Sequence, residues 1–389
     1  MNSGRTLFSQ VMEFLPLREF HECVKRYGGD YKVKTFSCLD QFYCMAFAQL
    51  TYRESLRDIE ACLRSRGTRL YHMGIRSNVS RNTLANANSV RNWRLYADFA
   101  YVLIEIARGL YGNDSFGIEL KDTAYAFDST TIDLCLALFP WARFHQGKGA
   151  VKMHTLLDLR GNIPTFIEIS EGNVHDVNAL DHLPLQAGAF YIMDRGYMDF
   201  ARLSRFTQQG AFFVVRTRTN LRFVPFRWRT VDPLTGVLCD RTIRLTGHQT
   251  TDSYALPLRH IKYRDSATQK IFEFATNDFE MPAFTITQLY KARWKVELFF
   301  KWLKQHLRIK AFYGTSFNAV RIQIWISVSV YVLIAIIRKR LALSVSLYTM
   351  LQICSVAAFE KVELLEAFTE KAALATEFQP DNSLTLFDL

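Results

Sequence analysis

The chain has 389 residues, 49% of them hydrophobic, enough to bury a substantial core and to build two or three domains. Its formal net charge of +11 points to a polyanionic partner. The charge is also segregated: residues 61–97 and 200–231 each hold seven arginines and no carboxylate, and residues 298–359 hold eight Lys or Arg and none. Such blocks exclude a surface whose charges serve solubility alone and favour nucleic acid.

Residues 1–115 predict helices. Residues 36–50 are an apolar block, and Leu56, Ile59 and Leu63 recur at helical spacing over residues 52–63. After a loop at 64–80, Ser80 or Asn82 is placed to cap a helix that continues through Trp93, Phe99, Val102 and Ile106. The acid-free Arg and Asn face of this module suits a duplex reader, with Arg81, Arg91 and Arg94 as candidate DNA contacts. Each arginine fits almost as well in a linker between core helices.

Residues 112–121 are a polar connector, after which the pattern changes from helix to strand. Residues 124–127 are a short apolar strand ending in Asp128, within AFDSTTIDL. Residues 152–159 and 163–169 flank the turn Arg160, Gly161, Asn162 and predict a hairpin. A short helix at 177–183 precedes a second apolar strand, 190–193, which ends in Asp194 within YIMDRGYMDF. An amphipathic helix at 200–209 and a strand at 211–215 follow. This order predicts a mixed sheet covered by helices.

Residues 221–274 alternate apolar and polar side chains around the turn at Asp232, Pro233 and Gly236, and predict a β-rich insertion with almost nothing helical. Within it, FVPFRWR sets Trp228 among arginines, which suits stacking on an unpaired base; strand preferences for aromatics favour a core strand there instead. Residues 322–337 are apolar but number 16, short of the roughly 20 a membrane span needs, and Gln323, Ser327 and Ser329 interrupt them. They predict a buried helix and no membrane. A helical stretch at 341–374 and a loose tail at 377–389 close the chain. Seven cysteines without a CxxC pair predict reduced thiols in a cytosolic protein, and MNSGRTLFSQ lacks the apolar core of a signal peptide.

The stretch at 290–304, YKARWKVELFFKWLK, predicts one helix. Leu289, Ala292, Val296, Phe299, Phe300, Leu303 and Leu307 form its apolar face. At about 100° per residue, Tyr290, Arg293, Glu297 and Lys304 fall within roughly a 60° arc elsewhere, flanked by Trp294, Leu298 and Trp302. A charged stripe between tryptophans predicts the wall of a cleft. Taken alone, Glu297 and Lys301 are also the i,i+4 pair of an ordinary exposed helix.

The spacing Y-x2-R-x3-E-x6-K resembles the signature of the IS-four family of bacterial insertion-sequence transposases, DDE enzymes with an RNase H-like core. The resemblance extends to Asp128 followed by Ser129 and Thr130, and to Asp194 followed by Arg195, Gly196 and Tyr197. It covers most of the chain, including the N-terminal region and the insertion. It implies an α/β fold: an RNase H-like mixed-sheet catalytic core (116–220 and 275–340), a β-rich insertion (221–274), an all-helical N-terminal DNA-binding domain (1–115) and a helical C-terminal region (341–389) suited to dimerisation. Asp128, Asp194 and Glu297 would be the catalytic carboxylates, holding two Mg²⁺ ions with Mn²⁺ as a substitute. Tyr290, Arg293 and Lys304 would contact phosphates, with Lys301 and Arg195 beside them.

Among rival carboxylates, Asp122 and Asp133 lie near Asp128, with Asp133 expected in a following helical turn; Asp158 suits the hairpin turn and Asp199 a helix cap. His154 and His175 fit structural roles better than an oxygen-ligand metal site. The implied activity is binding of terminal inverted repeats, metal-dependent strand cleavage and strand transfer. The implied partners are double-stranded DNA at element ends and target and a second copy of the chain in a homodimer, in the bacterial cytoplasm at the nucleoid. An RNase H-like nuclease and a non-catalytic DNA-binding descendant are the alternatives.

Overall fold

The computed structural model describes residues 4–369, apart from 77, 121, 146–147, 308 and 310–311. The loose tail expected at 377–389 and the end of the helical stretch expected at 341–374 lie outside them. The described chain forms two compact units, one of residues 4–112, 132–151 and 300–369, the other of residues 113–131 and 152–299.

The first unit opens with α1 (Leu7–Met12), α2 (Leu17–Arg26), α3 (Cys38–Leu50), α4 (Leu56–Arg64), α5 (Arg81–Val90) and α6 (Trp93–Tyr111). Thr6, Ser37, Ser55 and Ser80 start four of these helices, each hydroxyl accepting from the N–H three residues on. α3 is buried along nearly its whole length, and Phe99 of α6 meets Phe20 and Phe42 edge-on at 4.8 and 5.4 Å. The loop expected at 64–80 contains a 3₁₀ turn, Gly67–Met73.

The strands are β1 (Ala124–Leu134), β2 (Arg143–His145), β3 (Lys148–Asp158), β4 (Ile163–Glu171), β5 (Phe190–Met193), β6 (Phe212–Arg216), β7 (Phe223–Trp228), β8 (Val237–Leu245), β9 (Leu258–Arg264) and β10 (Ile271–Thr276). They run in the order β2-β3-β1-β5-β6-β10-β9-β8-β7, with β4 on β3. β1, β5 and β6 are parallel, and from β6 to β7 every pairing is antiparallel. A parallel strand is covered on both faces, so β5 carries four buried residues in a row. α7 (Phe200–Gln208) supplies one cover through Leu203 and Phe206, which share a core cluster with Phe127, Tyr191 and Phe213. Asp199 caps α7, accepting from the Arg202 N–H at 3.1 Å.

Several expectations change here. β1 does not end at Asp128 but runs on to Leu134, so Asp133 is an exposed strand residue and not part of a helical turn. The strands within 221–274 extend the same sheet, with β10 paired to β6, and one short helix, α8 (His248–Ser253), lies among them. The core strand expected around Trp228 is instead the sheet's edge: Trp228 is 62% exposed and Phe226 48%. The single helix expected over 290–304 is two, α9 (Ala283–Ala292) and α10 (Trp294–His306), parted at Arg293.

The chain then returns to the first unit as α11 (Phe317–Arg340) and α12 (Leu347–Ala357). α11 is long and apolar enough to cross a membrane, yet 94% of its most apolar window is buried by protein. Its Ser327 and Ser329 hydroxyls donate to carbonyls one turn back, which is how a buried helix accommodates them. Cys23, Cys38, Cys44 and Cys354 are free and buried.

Candidate active site

The second unit's sheet fixes two carboxylates side by side. β1 and β5 pair in parallel through Phe127 opposite Met193, and that pairing stops there. The next residues are Asp128 and Asp194, so both acids stand at the carboxyl end of adjacent parallel strands, where neighbouring chains are about 4.8 Å apart. Ligands of open α/β sheets bind at such ends.

α9 and α10 bring the third carboxylate. The Tyr290 ring packs on Phe274 of β10 at 4.6 Å between centroids, and its hydroxyl donates to Asp194 Oδ1 at 3.1 Å. At the break, the Arg293 N–H bonds to the Tyr290 carbonyl and the Val296 N–H to the Arg293 carbonyl, both three residues back. From this tightened turn the Arg293 guanidinium donates to Asp128 Oδ2 at 2.5 Å and to Glu297 Oε1 at 2.6 Å. Arg293 is thus a fixed cation between two carboxylates, with its side chain only 14% exposed.

Burial is the largest influence on Asp128 and pushes its carboxyl up to about 6; Arg293 and the Ser129 N–H pull it down, and Glu297 and Asp194 push it further up. Desolvation therefore outweighs the ion pair. Burial works against the charge on Arg293 too, but Asp128, Tyr290 and Glu297 more than offset it, so the guanidinium is held more firmly protonated than usual. Burial also raises the Tyr290 phenol, which stays a donor.

A carboxyl raised from 3.8 to about 6 on folding contributes stability that is complete below pH 3.8 and lost as pH rises through about 6. Metal-free protein should therefore lose on the order of 3 kcal/mol between about pH 4 and pH 7 relative to the Asp128→Asn variant. Paired thermal melts across that range check it; a difference independent of pH would show that burial does not govern Asp128.

Beside these groups lies a cavity of about 200 Å³, lined by Arg216, Phe272, Phe274, Tyr290, Trp294 and Glu297 among others. Of the stripe expected to line a cleft, Tyr290, Arg293 and Glu297 line this one, and Lys304 is not among its lining residues. Phe272 and Phe274 of β10 fall at the end of the segment expected as an insertion, where their alternation was the available signal, and Arg216 is the last residue of β6, one beyond the strand expected at 211–215. Tyr197, named above only as part of the motif after Asp194, is buried here with its ring 5.0 Å from that of Phe127.

Among the described residues, no three His, Cys, Asp or Glu side chains converge closely enough to hold an ion as they stand. Arg293 occupies the space between two of the candidates and serves as a stand-in cation. The donors are all carboxylate oxygens, the set that hard divalent cations take, and the strain on Asp128 favours added positive charge. Asp128, Asp194 and Glu297 thus supply the donor type a divalent ion takes, with Arg293 now bonded between two of them.

The other expected site residues are distributed. Arg195 is exposed beside Asp194, and Lys301 (exposed) and Lys304 (half-buried) stand on the part of α10 in the first unit. Arg81 and Arg94 are exposed in the helical unit. Arg91 is a correction: it is 8% exposed and its guanidinium is engaged by the Ser37 and Phe36 carbonyls and Gln41, so it is a core strut unavailable to DNA. Asp158 serves the hairpin turn through the Arg160 N–H at 2.9 Å, and buried His154 bonds to Ser170 at 2.9 Å.

The chain is similar to known families and proteins over the segment that holds these residues. Residues 3–76 match a domain of unknown function (DUF4372), and residues 119–333, more than half the chain, match the transposase DDE domain. A Sinorhizobium fredii protein named as the transposase y4zB is 34% identical over 54% of this chain and 59% of its own length. A Geobacillus stearothermophilus protein named as the transposase of insertion sequence element IS5377 is 30% identical over 53% of this chain and 54% of its own. The chain thus spans little more than half the length of these two relatives. A Synechocystis protein named as the transposase of element IS4SA is 24% identical over 82% of this chain and 89% of its own. Among solved structures, a piggyBac transposase synaptic complex with hairpin DNA overlays with a TM-score of 0.48 at 10% identity, covering 97% of this chain and 82% of that one. Asp128, Asp194, Arg293 and Glu297 all fall inside the matched segment, and the chain belongs to the transposase DDE domain family.

Proposed function

We propose that this chain is a transposase that binds the terminal inverted repeats of its insertion sequence, cuts the DNA there and joins the freed ends to target DNA. The observation that carries this reading is the meeting of Asp128 and Glu297 on Arg293, with Asp194 on the adjacent strand end. Water attacks phosphorus at the element end, the P–O3′ bond breaks, and a 3′-hydroxyl is left on the element; that hydroxyl then attacks a target phosphodiester and displaces its 3′-oxygen. Family membership implies a divalent metal, and we assign two Mg²⁺ ions, replaceable by Mn²⁺, to Asp128, Asp194 and Glu297, where they would activate the attacking oxygen and stabilise the leaving one.

Once released from the carboxylates, Arg293 offers a planar fork to the scissile phosphate and Tyr290 a neutral donor. Arg195 supplies further positive charge beside Asp194, Lys301 and Lys304 supply positive charge on the first unit, and a homodimer would hold two ends together. On the exposed edge strand β7, Trp228 sits beside Phe226, over which Arg244 stacks at 5.4 Å. This edge suits a flipped base during hairpin formation, which costs a few kcal/mol of lost stacking.

The test uses duplexes carrying the DNA that flanks the chain's own coding region, incubated with purified protein and Mg²⁺ or Mn²⁺. The expected result is cleavage at one defined position inside imperfect inverted repeats. Cleavage at scattered positions would mean a nuclease instead. In the same assay Trp228→Ala should nick normally, form hairpins more slowly, and melt like the wild type.

A further inference from the structure

We propose that α5 is a base-reading helix, presenting Asn82, Asn86 and Ser89 to base edges in the major groove of duplex DNA. The inference rests on the DNA-end reading above and names the residues that would give it sequence preference. Inwardly, α5 is fastened: Leu84 is fully buried, and the Asn88 side chain accepts from Gln41 at 2.6 Å. Gln41 in turn accepts from Arg91 and from the Tyr96 hydroxyl, both at 2.8 Å. Ser80 caps the start of the helix, and Asn318 donates to the carbonyls of Asn88, Ser89 and Arg91 at its end.

Outwardly the chain does the opposite. Asn82, Asn86 and Ser89 recur at i, i+4 and i+7, all exposed, and none of the described hydrogen bonds engages their side chains. Asn and Ser are among the weaker helix formers, so a face that only meets water is better built from Lys, Glu, Gln or Arg. No hydrogen bond among the described residues compensates for choosing them. An asparagine amide sets a donor beside an acceptor, the pattern that matches N6 and N7 of adenine, and a serine hydroxyl serves either role.

These are short side chains, so the helix itself must enter the groove. Its ten residues span about 15 Å, close to the roughly 12 Å width of the major groove. Arg81 at its first residue and Arg94 just beyond its end are exposed and placed for the phosphates on either side. No carboxylate occurs between residues 61 and 97 to oppose them.

The experiment is selection from a randomised duplex library by the full-length protein at fixed salt, for the wild type, Asn82→Ala, Asn86→Ala and Arg81→Ala. The wild type should enrich one motif. Each Asn variant should lose preference at one or two adjacent positions, with affinity for the wild-type motif falling about ten- to hundredfold and affinity for a scrambled duplex unchanged. Arg81→Ala should weaken both duplexes alike and lower the log–log salt slope by about one unit. The proposal is overturned if the Asn variants select the wild-type motif with equal preference, or if the wild type enriches none. Metal-dependent nicking of plasmid by the same preparations is read in parallel. Nicking without a motif sinks this proposal alone, and a motif lost in the Asn variants without nicking sinks the catalytic reading alone.

Discussion

Asp128→Asn, Asp194→Asn and Glu297→Gln should each lower strand cleavage by on the order of a thousandfold or more, while gel shifts with end DNA persist. Under the proposed function each change would remove an oxygen ligand from a site where charge must be neutralised as the phosphodiester breaks. None touches the acid-free basic segments. The three differ in their effect on the fold, which separates chemistry from stability. Asn at 194 still accepts from the Tyr290 hydroxyl, and Gln at 297 still offers Arg293 an oxygen. Asn at 128 removes a carboxylate that burial already disfavours. A cleavage-dead Asp194→Asn protein with an unchanged melting temperature would mark Asp194 as chemical. Cutting at the wild-type rate by any one variant would remove that residue from the site. Ca²⁺, which tolerates irregular coordination, should support binding without cleavage.

Much of the site was legible because it sits on the most patterned parts of the chain. A buried parallel strand reads as an unbroken apolar run, so a carboxylate directly after such a run stands out, and Asp128 and Asp194 do. The buried helix α11 was legible as a helix from its apolar run, but at 24 residues it is long enough for a span, and only its burial within the protein marks it as a core helix. Features decided by distant neighbours were not legible. The point where β1 stops pairing with β5, at Phe127, is set by the neighbouring strand, and β1 itself runs on to Leu134. Arg91 and Trp228 each carry a side chain that says nothing of its side of the fold; one is walled in by α3 and the other left on the sheet's last strand. The break at Arg293 has no glycine or proline to announce it. It accompanies a contact with a residue 165 positions earlier, which no local window contains.

That contact sets the second large effect. Replacing Arg293 with Gln leaves Asp128 and Glu297 facing each other without the cation that both now bond. Removing one member of a buried charge cluster costs about 3–5 kcal/mol, because the remaining charges stay desolvated and uncompensated. Metal-free Arg293→Gln should therefore melt well below the wild type at neutral pH and recover as the pH falls through the titration of Asp128, which the loss of Arg293 pushes higher still. Divalent cations should raise its melting temperature more than that of the wild type, since in the wild type an ion must first displace the guanidinium. Cleavage should fall even where the metal has restored the fold, because no planar fork remains for the scissile phosphate. If Arg293 served only to read phosphate, the variant would melt like the wild type with and without metal and would show a binding defect alone. Melts with and without Mn²⁺, beside a cleavage assay at the restored temperature, separate a charge that holds the carboxylates apart from one that only meets DNA.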